Sequence, residues 1–174
     1  MHAPTELPSD WVVRWAPLVV RGPVLDVACG GGRHARLFAA RGLEVVAVDR
    51  DPQSIDGVTF VQANLEDGSP WPFAGRRFAA IVVTNYLHRP LFSTFEQSLE
   101  QGGTLIYETF MLGNERFGRP SNPAFLLRPG ELLEAFRDLT PVAFEQGVVE
   151  RPKPAAIQRL CARRNNSEPV KIAP

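Results

Sequence analysis

Short apolar runs alternate with helical patterns along most of this chain, and that alternation constrains its fold more than any other feature. Val24–Ala28, Val45–Asp49, Val58–Gln62, Phe78–Thr84 and Thr104–Thr109 are rich in β-branched residues and nearly continuous in hydrophobicity. Strands of that kind are buried on both faces, as in a parallel sheet covered by helices on each side. Helical periodicity fits Arg33–Arg41, Leu91–Glu100 and Glu131–Asp138. Gly42 stands where a helix end favours a left-handed residue, and Pro129-Gly130-Glu131 marks a helix start. The connection from Asp49 to Val58 is too short for a full crossover helix, so that layer is expected to shrink to a turn.

Past Pro141 the rhythm changes. Val142–Glu150 and Ile157–Arg164 are strand-like and joined by Arg151-Pro152-Lys153-Pro154, with no helix between. The expected architecture is therefore α/β: a doubly wound three-layer sandwich whose mostly parallel, seven-stranded sheet ends in a C-terminal antiparallel hairpin. Ser9 or Asp10 caps a leader helix over residues 9–17, in which Trp11, Val12 and Trp15 share a face and Pro17 stops the helix. A chain of 174 residues makes one domain, 1–174, with a flexible polar tail expected at 165–174.

Nineteen basic residues balance nineteen acidic ones, so no global field draws the chain to nucleic acid or to anionic lipid. Cys29 and Cys161 are far apart and fit no metal-ligand spacing, which reads as two buried thiols in a reducing cytoplasm and no metal. No run is long and apolar enough to span a bilayer, and MHAPTELPSD lacks the regions of a signal peptide.

The chemistry is concentrated in VLDVACGGGRHA, residues 24–35. Gly30, Gly32 and Ala35 satisfy G-x-G-x-x-A between a strand and a helix, a turn whose backbone lets a ligand approach closely. Asp49 ends the next strand, where a carboxylate can accept hydrogen bonds from both ribose hydroxyls. Two enzyme classes use this arrangement: dinucleotide-dependent oxidoreductases and S-adenosylmethionine (SAM) methyltransferases. Asp26 separates them, because a carboxylate near the turn repels a pyrophosphate but favours a sulfonium and an ammonium.

D-V-A-C-G-G-G resembles the D-x-G-x-G-x-G signature of class I SAM-dependent methyltransferases, with Ala28 in place of its first glycine. VVAVDRD resembles that family's ribose-binding strand, and QANLEDGSPWPF its adenine motif, with Asn64 where an aspartate is usual. FAAIVVTNYLH and LEQGGTLIYETF resemble its fourth and fifth strands. The likeness runs in order from Trp11 to Arg164, and is looser towards the small bacterial members of tellurite-resistance type.

The resemblance implies a Rossmann-like methyltransferase fold, SAM as cofactor and S-adenosylhomocysteine as product. It implies cofactor contacts from Asp26 to the methionine amino group, from the backbone of Ala28, Cys29, Gly30 and Gly32, and from Asp49 to the ribose. Arg50, Asn64 and Leu65 would surround the adenine, and the backbone of Thr84 or Asn85 would touch the cofactor. Tyr86 and His88, at the carboxyl edge of the fourth strand, are the candidates for catalysis, and His88 is the one histidine considered as a general base. His34 is expected on the helix surface. Arg14 is a candidate partner of the methionine carboxylate.

The long connection after the fifth strand, residues 108–124, reads as a substrate lid. Its candidate substrate contacts are Glu108, Phe110, Asn114, Arg116, Phe117 and Arg119, together with Tyr86. T-N-Y-L lacks the prolines of the N-P-P-Y signature that grips a flipped base, which disfavours DNA. The function expected is therefore methyl transfer to a small-molecule acceptor. The alternatives are an RNA or protein acceptor, a non-catalytic SAM-binding regulatory module and an NAD-dependent reductase. Oligomeric state is not readable from the sequence.

Overall fold

The computed structural model describes residues 7–165 and 168–172, so the expected tail lies partly outside the described residues. Seven strands form one sheet: β1 (Val24–Val27), β2 (Val45–Asp49), β3 (Thr59–Gln62), β4 (Phe78–Thr84), β5 (Leu99–Phe110), β6 (Leu139–Val149) and β7 (Ala155–Arg164). Their spatial order is β3-β2-β1-β4-β5-β7-β6. β1 to β5 are parallel, and β7 runs antiparallel to both β5 and β6. The doubly wound sheet and closing hairpin are those expected.

Strand alternation divides the core into two layers. Leu25, Val27, Val46, Val48, Ile81, Val83, Leu105 and Tyr107 face one layer, closed by α3 (Phe92–Gln97) and α4 (Glu131–Ala135). Val24, Val45, Ala47, Ala80, Val82 and Ile106 face the other, where they meet α1 (Asp10–Trp15) and α2 (Arg33–Ala40). Ser9 caps α1 as expected, its hydroxyl accepting the Trp11 N–H at 3.2 Å, and Trp11, Val12 and Trp15 are all buried. No described residue between Asp49 and Val58 is helical.

Two elements depart from expectation. The third helix is six residues long, because Leu99 already pairs with Phe78 and starts a twelve-residue β5. The segment expected as the lid, 108–124, starts inside the sheet and is tied to its neighbours. Its first residues belong to β5, Met111 bridges Leu127, and the Met111 N–H donates to the Ala156 carbonyl at 3.0 Å. Among the described residues, no helix is long and apolar enough to cross a membrane.

Candidate active site

The strand order reverses between β1 and β4, and an open α/β sheet places its ligand at the carboxyl ends of such strands. There the chain leaves β1 through Ala28, whose φ of +51° is left-handed, and turns again at Gly30 and Gly32 with φ of +52° and +82°. A Cβ on Gly32 would run into Ile55, whereas nothing lies within 4 Å of one placed on Gly30. The two glycines thus serve different purposes: Gly32 lets the 50–58 turn pack against the start of α2, and Gly30 leaves its own upper surface open.

Much of the turn's hydrogen bonding is internal. The Cys29 N–H donates to Val48, the Gly32 N–H to Cys29, and the Gly30 N–H to Asp49 Oδ2 at 2.8 Å. Asp49 Oδ1 accepts the Asp51 N–H at 2.9 Å. The carboxylate at the end of β2 is therefore held in one orientation, with lone pairs left for further donors. It lines a cavity of about 200 Å³ with Ala28, Arg50, Ala63, Asn64, Leu65, Glu66 and Tyr86. Most of the residues expected around a ribose and an adenine are thus gathered in one place. Asn64 Oδ1 already accepts the Glu66 N–H at 3.0 Å, which leaves its amide one further acceptor position.

Asp26 sits beneath this turn, not in the cavity. It is 1% exposed, Oδ2 accepts the Ala35 N–H at 3.0 Å, and Oδ1 has no partner among the described residues. Burial pushes its carboxyl up to about 7. The expected role of Asp26, orienting a methionine amino group directly or through water, would in this geometry be exerted from beneath the turn. Arg14 departs further. It stacks on Trp11 and Trp15 and pairs with Glu145 of β6 at 3.1 Å, and it does not line the cavity. α1 directs it towards the hairpin.

His34 corrects a second expectation. It is buried at 1% exposure, not on the helix surface, because residues 7–9 cross over the start of α2. Its Nε2 accepts the Ser9 N–H at 3.0 Å, which places the ring proton on Nδ1, 3.3 Å from Thr84 Oγ1. Burial, and then the Arg33 charge, lower its pKa to about 3. The Ser9 hydroxyl donates to Glu108 at 2.8 Å, and Glu108 pairs with Arg159 of β7 at 2.6 Å. Glu108 is thus engaged inside the protein, and so is buried Asn114, which accepts the Ala156 N–H and donates to the Pro120 carbonyl. Phe110 is half-buried, while Arg116, Phe117 and Arg119 remain exposed.

The loop leaving β4 is pinned at several points. Asn85, left-handed at φ +52°, donates its N–H to the Glu108 carbonyl at 2.9 Å. The buried Tyr107 hydroxyl donates to the Tyr86 carbonyl at 2.8 Å. Arg89 forms a two-point pair with Glu131 and donates to the Ala124 and Leu126 carbonyls. Burial alone would raise the Glu131 carboxyl, but hydrogen bonds from Arg89 and Arg128 outweigh it and hold the group below its ordinary range. Between these anchors, burial and then the Glu66 and Asp49 carboxylates push the Tyr86 phenol upward, and His88 Nδ1 lies 3.3 Å from Glu66 Oε1. Among the described residues, no cluster of three His, Cys, Asp or Glu side chains could hold a metal.

The sequence reading missed Ala63 and Glu66 in the cavity, and the Ser9–His34 and Glu108–Arg159 contacts. The Asn-Leu-Glu turn gave a local signal for Glu66. The other contacts join residues 25 or more positions apart and leave no local trace.

Residues 24–103 match a family described as a methyltransferase domain. Several solved structures share the fold. TehB from Haemophilus influenzae superposes with a TM-score of 0.73 at 16% identity, over 90% of this chain and 62% of its own. NodS, an N-methyltransferase from Bradyrhizobium japonicum in complex with S-adenosylhomocysteine, gives 0.65 at 14% identity, over 88% and 85%. The 1,6-didemethyltoxoflavin-N1-methyltransferase of Burkholderia thailandensis, solved with that substrate and S-adenosylhomocysteine, gives 0.63 at 22% identity, over 90% and 76%. The chain thus spans less than two thirds of TehB. No protein of curated function matches its sequence significantly.

Proposed function

We infer that this chain is a class I SAM-dependent methyltransferase that transfers a methyl group to a small-molecule acceptor, a reading supported by its fold and by the methyltransferase-domain match of residues 24–103. The observation that carries the cofactor half is the pairing of the fixed Asp49 carboxylate with the open surface above Gly30, at the point where the strand order reverses. Bound SAM would supply an activated sulfonium methyl group, which a nucleophile takes in line to leave S-adenosylhomocysteine.

The protein's own contribution is to bind, orient and exclude water. Asp49 accepts from the ribose hydroxyls while the Gly30 and Asp51 N–H groups hold its carboxylate still. Arg50, Asn64 and Leu65 border the adenine, with the second acceptor position of Asn64 open to its amino group. Asp26, under the turn, favours positive charge above it whenever it is ionised. Tyr86 closes the cavity towards β4, and its raised pKa makes it a hydrogen-bond donor, not a base. The exposed Arg116, Phe117 and Arg119 border the acceptor's approach.

The small-molecule acceptor is favoured by the balanced charge of the chain and by the anchored connection after β5. The toxoflavin-precursor methyltransferase gives a precedent within the fold. Asp49→Ala should weaken S-adenosylhomocysteine binding at least 100-fold, about 3 kcal/mol for charge-assisted bonds to two hydroxyls. Calorimetric titration on the folded variant measures this. Unchanged affinity would remove the cofactor assignment, and stabilisation by NADH instead would point to a reductase.

A further inference from the structure

We propose that Asp26 links cofactor binding to a proton: its buried carboxyl gives up a proton when SAM binds, and less of one when S-adenosylhomocysteine, which lacks the sulfonium charge, binds. The site thereby favours substrate over product and loses that preference in acid. This rests on the methyltransferase reading above.

Asp26 is the third residue of β1, two before Ala28, which walls the cavity. Its Oδ2 accepts the N–H of Ala35, in the first turn of α2, at 3.0 Å, so the side chain is fixed under the glycine turn. Oδ1 is also buried and has no partner among the described residues. A buried carboxylate with one oxygen unanswered is costly to ionise unless a positive charge stands nearby. A proton meets that need in the free protein, and a cationic ligand meets it in the complex. Asp26 also feels the charge of Asp49, which lines the cavity, so a ligand there is within electrostatic reach.

The elements around Asp26 leave this role open. β2 and β4 flank it with Ala47 and Val82. From α2, Arg33 favours the anion, while His34, lowered to about 3, is neutral near pH 7. From the end of β2, Asp49 opposes the anion. In the turn, Cys29 stays a thiol, pushed up to about 12 by burial and then by Asp26 and Asp49. Glu108 of β5 is tied to Arg159 and Ser9, and α1 sends Arg14 to Glu145. Burial outweighs the Ala35 bond and the Arg33 charge, which leaves the free carboxyl at about 7.

SAM carries a sulfonium, an ammonium and a carboxylate, and S-adenosylhomocysteine only the last two. A nearby cation lowers a carboxyl pKa by about 1–3 units, so the more positive ligand ionises Asp26 more completely. A group whose pKa falls on binding releases protons, so affinity rises as pH climbs towards 7 and falls below it. Methyl transfer removes the sulfonium charge, and Asp26 then regains proton from water while the product is held.

The test is calorimetric titration with SAM and with S-adenosylhomocysteine, in two buffers of different ionisation enthalpy, which counts the protons released. Repeating it from pH 5.5 to 7, where the ligands' amino groups stay largely protonated, gives the slope. Wild type should release about half a proton per SAM at pH 6.5, and bind SAM about five- to tenfold more weakly at pH 5.5 than at pH 7. S-adenosylhomocysteine should release less and weaken about two- to threefold. The amide oxygen of Asp26→Asn can still accept the Ala35 N–H, so the variant is expected to fold. It should bind SAM more weakly at pH 7 and lose the proton release and the added slope, while any slope from other groups survives. Should it not fold, the wild-type comparison of the two ligands decides by itself. Equal proton release by the two ligands, or a wild-type slope in Asp26→Asn, would overturn this proposal alone. Binding of neither ligand would overturn the cofactor assignment and this proposal with it.

Discussion

Ala28→Gly should stabilise the protein slightly, against the usual effect of glycine. Ala28 stands at φ +51°, where a Cβ crowds the backbone at a cost of roughly 1–2 kcal/mol. Glycine removes that cost and returns about 0.4–1 kcal/mol through the greater freedom of its unfolded chain. The lost methyl is only half-buried against the α3–α4 layer, worth some tenths of a kcal/mol. The balance is about 0.5 kcal/mol in favour of the variant, or ~1–2 °C in Tm for a chain of this size. Ala39→Gly, in the last turn of α2, is the control and should cost about 1 kcal/mol. Urea unfolding followed by circular dichroism, with unchanged slope, measures both. Because Ala28 also walls the cavity, S-adenosylhomocysteine affinity should hold or rise. A loss of more than 1 kcal/mol in Ala28→Gly would refute the claim that this residue is strained.

Asp26 and His34 should oppose one another in acid. Asp26 is raised to about 7 from 3.8, so its stabilising share is complete below pH 3.8 and is lost as pH rises towards 7. His34 is lowered to about 3 from 6.5, so its share is complete above pH 6.5 and is lost as pH falls towards 3. Between pH 3.8 and 6.5 the two slopes cancel. Asp26→Asn should expose the histidine slope, a loss of about 2 kcal/mol at pH 5 relative to pH 7, read from chemical unfolding across pH. A flat profile in that variant would count against the buried neutral imidazole. Gly32→Ala combines a left-handed backbone with a collision against Ile55 and should cost about 2–4 kcal/mol in the same assay; a near-neutral result would mean that the 50–58 turn yields easily. Arg116→Ala with Arg119→Ala should leave S-adenosylhomocysteine binding within twofold by calorimetry while lowering turnover. Lost binding in the folded double variant would move those residues to the cofactor side.

The parts of the molecule legible in the sequence are those set by short-range pattern. Doubly buried strands announced the parallel sheet, the absence of a helix after Val149 announced the hairpin, and the glycines with Asp49 marked the cavity. What escaped depends on distant partners. His34 follows the glycines as a helix-surface residue would, and only the leader crossing above it buries the ring. Asn114 and Glu108 have the chemistry of substrate ligands, yet β7 supplies Ala156 and Arg159 to occupy them. Arg14 has the charge for a methionine carboxylate, but the direction of α1 takes it to Glu145. Residue type reported what each group can do, and packing decided which of them remained available.

The order of the strands has a consequence for biosynthesis. β7, the last in sequence of the seven described strands, is an interior one, inserted between β5 and β6. While the chain emerges from the ribosome, Thr104–Phe110 of β5 have no neighbour on that side until β7 follows. The Trp11 indole reaches the Leu160 carbonyl across 149 positions, so the leader also waits for this strand before it docks. A nascent chain therefore carries an open, apolar sheet edge from the completion of β5 until β7 follows. Completion comes as one late, long-range event.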